Sequence, residues 1–371
     1  MSLERGWVTA VIRALGLLLV IGALGGCAAQ RAIVSGAPAL QGLGAPLELV
    51  ETPFHPQEAL DCGPAALATV LGAAGVEAQP DTLAREVFTP GLGGSLQLEL
   101  VAAARARGFV PYVIAPELDA LFAELLAGRP VLVLQNLRLR SWPAWHYAVV
   151  IGADPAAERV ILRSGAERRL VEPAAKFLRS WDRADRWGLV LLAPGTLPAR
   201  PDRRRYFEAV AGLEDTGNHA AAATAWEAAL ALWPGDAVAR FGFATASYLG
   251  GDLVAARAGY AALLADEPDH AAALNNQANV LADLGCPASA RVLALRAVAA
   301  APAGGEIAAA AADTLAALPA DALDGPGCHA PEAPRAAPAD GPRAAIFPDA
   351  ASAARSYTRP ASQARNPGVK G

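Results

Sequence analysis

The spacing of apolar residues changes along the chain and separates a mixed domain from a purely helical region. Between residues 46 and about 197, apolar residues first follow a helical period and then gather in short runs typical of strands. The helical period covers Pro64–Gly75, Leu96–Arg107 and the stretch from Pro116 to Gly128. The strand-like runs are Val131–Leu134, Tyr147–Ile151, Val160–Leu162, Arg169–Val171 and Leu189–Leu192. Helices followed by strands predict an α+β domain with a mostly antiparallel sheet over residues 46–197.

A helical repeat follows a linker at residues 198–203. Three columns recur every 34 residues, and they are Gly217, Gly251 and Gly285; Ala222, Ala256 and Ala290; and Pro234, Pro268 and Pro302. A helix–turn–helix unit of this length resembles the tetratricopeptide repeat. Residues 204–302 are therefore predicted to form three units of an all-α solenoid. We expect each glycine where the helices of a unit pack closely, and each proline at the end of a second helix. Residues 303–371 are predicted to be a helical remnant followed by a disordered tail rich in Ala and Pro.

The first 27 residues have the pattern of a bacterial export signal. Arg5 and Arg13 accompany the apolar run Leu17–Leu24, which is too short for an ordinary membrane span. The following Gly25-Gly26-Cys27 resembles the lipobox, which implies removal of residues 1–26 and a lipid anchor on Cys27. A plain secretory signal or a single N-terminal membrane helix is the alternative. The residue after Cys27 is alanine, which by resemblance implies the outer membrane, with the protein facing the periplasm. Residues 27–45 are expected to form a tether.

Composition narrows the classes of function. The chain has 371 residues, of which 31 are basic and 36 acidic, and its net charge is −5. A small net negative charge argues against binding to nucleic acid, whose phosphates require a basic surface. The sequence contains no spacing typical of a zinc site and no phosphate-binding loop, so neither a metal nor an organic cofactor is expected. Four cysteines are too few for a disulfide scaffold. An oxidising periplasm would nevertheless allow a single disulfide between Cys286 and Cys328.

The segment around Cys62 carries the strongest chemical pattern. Cys62 precedes Gly63-Pro64 and a run of small apolar residues, which places its thiol at the start of a helix. Helix amides favour a thiolate, so the pKa of Cys62 is expected to fall. His146 opens a strand and can serve as the base. The amide of Gln57 and the backbone N–H of Cys62 can stabilise an oxyanion.

These residues resemble a known enzyme family. Gln57-x-x-x-Asp61-Cys62-Gly63-Pro64-Ala65, followed by His146-Tyr147-x-Val149-Val150, is similar to the bacteriocin-processing, double-glycine peptidases. The resemblance is closest to a lipoprotein subgroup with C-terminal tetratricopeptide repeats. It implies a papain-like domain and a Cys–His–Asp triad with a glutamine in the oxyanion hole.

The sequence departs from this family at the third member of the triad. The strand after the histidine hairpin reads Val160-Ile161-Leu162-Arg163-Ser164, with no carboxylate at the expected place. Asp154 is predicted to lie at the far end of the histidine strand, remote from His146. Ser164 is the candidate that could orient the imidazole, and Asn136 is a weaker one. The glutamine is also one residue nearer to the cysteine than is typical.

The sequence thus predicts a membrane-anchored thiol peptidase that hydrolyses polypeptides through a Cys62–His146 dyad. Gln57 would support the oxyanion, and the repeats would bind a protein partner or present the substrate. A catalytically weak or inactive peptide-binding adaptor lipoprotein is the alternative from another class. Acyl transfer or isopeptide cleavage by the same dyad is a third hypothesis.

Overall fold

The structure is a computed structural model that describes residues 32–56, 61–89, 91, 94–321, 323–326 and 328. The described helices, in chain order, are α1 (Cys62–Ala73), α2 (Pro80–Val87), α3 (Gln97–Ala106), α4 (Leu118–Leu126), α5 (Ala174–Asp182), α6 (Arg203–Glu214), α7 (His219–Leu232), α8 (Ala237–Leu249), α9 (Leu253–Asp266), α10 (Ala271–Asp283), α11 (Pro287–Ala300) and α12 (Glu306–Ala317), with a short 3₁₀ helix at Pro38–Leu40. The described strands are β1 (Leu47–Glu48), β2 (Phe88–Thr89), β3 (Gly94–Ser95), β4 (Val110–Val113), β5 (Val131–Asn136), β6 (Trp145–Asp154), β7 (Arg159–Ser164), β8 (Glu167–Pro173) and β9 (Gly188–Leu192).

The first domain is organised around one antiparallel sheet. Its strand order is β4-β9-β5-β6-β7-β8, and β1 adds to β6 beyond the start of β5. The close approach of β1 explains Gly152, because a Cβ there would lie 2.3 Å from the carbonyl oxygen of Leu47. The predicted α+β class and antiparallel sheet are confirmed. The sequence pattern missed β4, α2 and α5, because each is short and is interrupted by polar residues or proline.

Helices cover both faces of the sheet. The α1–α3 face is packed by Leu67, Leu71 and Leu100 against side chains of β5 and β6. The opposite face is packed by α4 and α5, through Leu121, Phe122, Phe177 and Trp181. Because β5 is buried on both faces, its sequence is a continuous run of apolar residues and does not alternate between apolar and polar ones.

The C-terminal region consists of consecutive helices that pack as antiparallel hairpins, in agreement with the predicted helical solenoid. Pro234 and Pro268 lie between successive hairpins, and Ala222, Ala256 and Ala290 are fully buried. The expected reason for the repeated glycines was wrong. Gly217, Gly251 and Gly285 lie in the turns inside the hairpins with φ of 77°, 86° and 78°. A left-handed turn conformation, rather than close helix packing, selects glycine there.

The solenoid is joined to the first domain by a shared core. Tyr206, Phe207 and Val210 of α6 belong to the same cluster of buried residues as Val110 and Tyr112 of β4. The hydroxyl of Tyr112 also accepts a hydrogen bond from the backbone N–H of Asp202 in the connecting segment (3.2 Å). A continuous apolar interface makes the first hairpin an extension of the domain rather than a separately moving module.

Part of the segment expected to be a tether is packed against the domain. Val34, Ala37 and Leu40 are buried in the core on the α4 face. The carboxylate of Glu158, in the turn between β6 and β7, accepts hydrogen bonds from the backbone N–H groups of Ile33 and Val34. Of the residues that the structure describes, none belongs to a helix long and apolar enough to cross a bilayer.

A disulfide ties the end of the described chain to the third hairpin. Cys286 and Cys328 are bonded, with their Cα atoms 5.5 Å apart, and both are buried. Asp324 accepts hydrogen bonds from the backbone N–H groups of Ala288 and Ser289 at the start of α11. The segment around Cys328 is therefore docked on the solenoid, whereas its composition had suggested an exposed tail.

Candidate active site

Cys62 is the first residue of α1, and the start of this helix is seated tightly on the domain. A Cβ on Gly63 would lie 2.7 Å from both Cβ and Oγ of Ser95 in β3, so only glycine fits. The Tyr147 hydroxyl donates to the Ser95 carbonyl (3.2 Å) and fixes β3 to β6. Cys62 is half-buried, and it is the free cysteine of the described residues. The local sequence thus holds the thiol at the start of β6.

The thiol lies beside the amide that links His146 to Tyr147. The backbone N–H of Tyr147 is within hydrogen-bond reach of the Cys62 sulfur, as are the N–H groups of Gly63 and Cys62 itself. The expected fall in pKa is nevertheless wrong. Burial raises the pKa of the Cys62 thiol by more than these N–H groups lower it, and the charge of Asp61 adds a smaller rise. The thiol is therefore neutral at rest.

His146 is the second residue of β6, and its imidazole is oriented by Ser164. Nε2 of His146 lies 2.8 Å from Oγ of Ser164, the last residue of β7. Ser164 is buried, and it follows Arg163, the register partner of Val149, so alternation along the strands puts it on the same sheet face as His146. The bond occupies Nε2, so Nδ1 is the ring nitrogen that remains for proton exchange.

A carboxylate that the sequence did not single out acts on His146 from a distance. Burial lowers the pKa of His146, and the negative charge of Glu172 raises it by a smaller amount. Glu172 lies on β8, is buried, and pairs with Lys176 of α5 (2.8 Å). Its register partner Val160 shares a core cluster with Leu162 and Ala148, so Glu172 belongs to the face of the sheet that carries His146. Finding Glu172 required the register of the sheet, which the spacing of residues along the sequence does not determine.

Arg163, the neighbour of Ser164, points away from the imidazole and holds an upstream segment. Its guanidinium donates to the carbonyl oxygens of Val50, Thr52 and Arg168, and the side chain is buried. Successive side chains of β7 point to opposite faces of the sheet. Ser164 therefore contacts His146, whereas Arg163 binds the backbone at Val50 and Thr52, a few residues before residue 57.

Two predicted site residues lie outside the described residues. Gln57, the candidate oxyanion donor, falls in the gap at 57–60, and Cys27, the candidate lipidation site, falls in residues 1–31. Their assignments remain predictions from the sequence.

The other candidates have structural partners. Oδ1 of Asn136 accepts the backbone N–H groups of Arg138 and Ala144, both at 3.0 Å, so this amide shapes the β5–β6 loop. Asp154 ends β6 and accepts from the backbone N–H of Ala157, far from His146 as predicted. Asp61 precedes α1, but its side chain makes no capping bond and is exposed.

Trp142, on the loop before β6, and Trp145, the first residue of β6, are exposed. Within the described residues, no group of three or more histidine, cysteine or acidic side chains is arranged to hold a metal ion.

Comparisons with known proteins relate part of the chain to one family. Residues 50–188 match the model of the Peptidase_C39 like family. A solved structure described as a C39-like peptidase from Bacillus anthracis is 18% identical, covers 40% of this chain and 97% of its own, and has a TM-score of 0.33. The peptidase domain of Streptococcus ComA, a bi-functional ABC transporter of a quorum sensing pathway, is 22% identical, covers 38% and 98%, and has a TM-score of 0.32. A comparison with curated proteins found no match. The assignment of the domain rests on the family model, since both structural scores are low.

Proposed function

We propose that this chain, whose residues 50–188 form a domain of the Peptidase_C39 like family, is a cysteine peptidase that hydrolyses polypeptides through Cys62 and His146. The observation that carries the proposal is the arrangement at the start of β6. Ser164 holds Nε2 of His146, and the Cys62 thiol lies beside the amide that follows His146. A nucleophile, a base and a group that orients the base are the parts that thiol hydrolysis needs.

The raised pKa of Cys62 and the lowered pKa of His146 favour a neutral resting pair. The sulfur attacks the scissile carbonyl carbon while Nδ1 of His146 takes the thiol proton. The carbonyl oxygen becomes an oxyanion near the Cys62 N–H, with Gln57 as the second proposed donor. His146 then returns the proton to the leaving amine, and water releases the acyl group from sulfur by the reverse sequence.

Labelling with a thiol-directed electrophile tests this assignment. Wild type is expected to react with a peptide vinyl sulfone and to hydrolyse a mixture of fluorogenic peptides. Cys62→Ser and His146→Ala are expected to lose both activities, whereas Ser289→Ala, on the solenoid, is the control that keeps them. Hydrolysis that survives in Cys62→Ser would rule out the thiol as the nucleophile.

A peptide-binding adaptor with an idle site is the second candidate. It is favoured by the hydroxyl of Ser164 at the position where a carboxylate would stabilise an imidazolium better, and by the raised pKa of the thiol. An adaptor would bind peptides equally well as wild type and as Cys62→Ser, without turnover in either.

Export and lipid anchoring at Cys27 complete the proposal. The Cys286–Cys328 disulfide supports an oxidising compartment such as the periplasm. The solenoid would offer its surface to a protein partner or to the substrate. Incorporation of radiolabelled palmitate in wild type and its loss in Cys27→Ala is the test of the anchor, and a Cys27→Ala protein that still partitions with membranes would contradict it.

A further inference from the structure

The loop between β5 and β6, together with the first residue of β6, presents large apolar side chains to solvent immediately before His146. The exposed fractions are 53% for Leu137, 69% for Leu139, 73% for Trp142 and 42% for Trp145. Apolar surface gathered in one place marks a contact site more often than scattered exposure does.

Leu137, Leu139 and Trp142 border a shallow, open groove. The groove lies between the loop and the C-terminal end of α5, has a volume of about 430 Å³, and is lined by Leu137, Arg138, Leu139, Trp142 and Arg183. This is within the size range of pockets that accept small ligands or one large side chain with its neighbours.

The groove is held in shape before anything binds. Asn136 is buried and bonds through Oδ1 to the loop backbone at Arg138 and Ala144. The guanidinium of Arg183 donates to the carbonyl oxygen of Asn136 through Nε (3.0 Å) and Nη2 (2.8 Å), which fastens the loop to the end of α5. A preformed surface loses less conformational entropy on binding.

The groove carries positive charge. Within the described part of the chain, neither Arg138 nor Arg183 forms a salt bridge, and the partner of Arg183 is an uncharged carbonyl. The nearby Asp182 and Asp185 are paired with Arg186 and Arg140. An acidic group would therefore find two cations beside an apolar surface.

The loop that lines the groove leads directly into β6, the strand that carries His146. Asn136 pairs with Trp145, and the next pair is Gln135 with His146. We propose that this groove selects the substrate, binding polypeptide segments in which a large apolar side chain is adjacent to an acidic one. The apolar side chain packs on Trp142 and Leu139, and the carboxylate pairs with Arg138 and Arg183. This inference rests on the proposed function, since it names the substrate class of that site.

Binding to the full chain with Cys62→Ala separates recognition from catalysis. The probes are fluorescein-labelled Gly/Ser decapeptides with a central Leu-Asp, Leu-Asn or Leu-Lys pair, measured by fluorescence polarisation. Leu-Asp is expected to bind tightest. Trp142→Ser should weaken it about 10-fold, and Arg138→Glu should reverse the order so that Leu-Lys binds better than Leu-Asp. Val292→Ser, which removes an exposed apolar side chain of the solenoid, is the matched control and should change nothing.

Three results would overturn the inference. They are binding weaker than about 1 mM for every peptide, the same order of peptides after Arg138→Glu, and self-association that Trp142→Ser abolishes, which would assign the groove to a second copy of the chain. The two proposals fail separately. If peptides bind in the groove but wild type does not hydrolyse them, the peptidase proposal is refuted and the binding role of the groove stands. If hydrolysis depends on Cys62 but proceeds at the same rate for the Leu-Asp, Leu-Asn and Leu-Lys peptides, only the proposed role of the groove is refuted.

Discussion

Ser164 Oγ lies 2.8 Å from Nε2 of His146, although 18 residues separate the two in the chain. The hydrogen bond fixes the plane of the imidazole and assigns the other nitrogen to the proton transfer. A neutral hydroxyl can perform the first of the two tasks of a third catalytic residue, orientation, but stabilises the charged imidazolium less than a carboxylate does.

Removing this hydroxyl is therefore expected to slow catalysis without unfolding the domain. Ser164→Ala should lower kcat about 10-fold or more, with little change in KM, because orientation of the base matters in the transition state. Ser164→Asn, whose amide oxygen can accept from the imidazole, should restore most of the rate. Steady-state kinetics with a fluorogenic peptide measure both variants, and unchanged kcat in Ser164→Ala would show that the bond plays no part in turnover.

Glu172 should set the pKa of His146. Its charge opposes the lowering caused by burial, so Glu172→Gln is expected to lower the pKa of His146 further. The acid limb of the kcat/KM profile then moves to lower pH, because the base stays unprotonated to lower pH. Glu167→Gln, at an exposed position on the same strand, is the control. An acid limb that stays in place in Glu172→Gln would refute this influence.

The resting state of the thiol can be read from its reaction with iodoacetamide. Since burial raises the pKa of Cys62, the alkylation rate should reach half of its maximum above the value for free cysteine, about pH 8.5. Mass spectrometry of the peptide that contains Cys62 follows the reaction, and the unfolded chain in urea provides the ordinary pH profile for comparison. A rate that is already maximal near neutral pH would instead identify a thiolate–imidazolium pair.

The turn glycines of the solenoid should be costly to replace. Gly217→Ala is expected to lower the free energy of unfolding by about 1 kcal/mol, because φ of 77° strains any residue with a Cβ although space around it is open. Gly235→Ala is the matched control, since Gly235 also has open space but no positive φ. Urea denaturation monitored by circular dichroism compares the two, and equal midpoints would contradict a conformational cause.

The sequence alone was enough to predict the two-part architecture, and it singled out Cys62 and His146 as the candidates for the chemistry. Periodicity identified α1, β5, β6 and β7, because each pattern reflects burial of a whole face. The 34-residue period identified the hairpins, because identical turns need identical residues. Cys62 and His146 followed from local context, a helix start and a strand start, that the order of residues encodes directly.

Tertiary structure decided the features that depend on distance and burial. The partner of His146 was open between Ser164 and, more weakly, Asn136, until folding placed Ser164 on the imidazole. The pKa of Cys62 was predicted with the wrong sign, because the helix amides are local whereas desolvation comes from residues packed around the thiol. Glu172 and the groove beside Trp142 likewise arise from segments brought together by folding, which no spacing along the chain records.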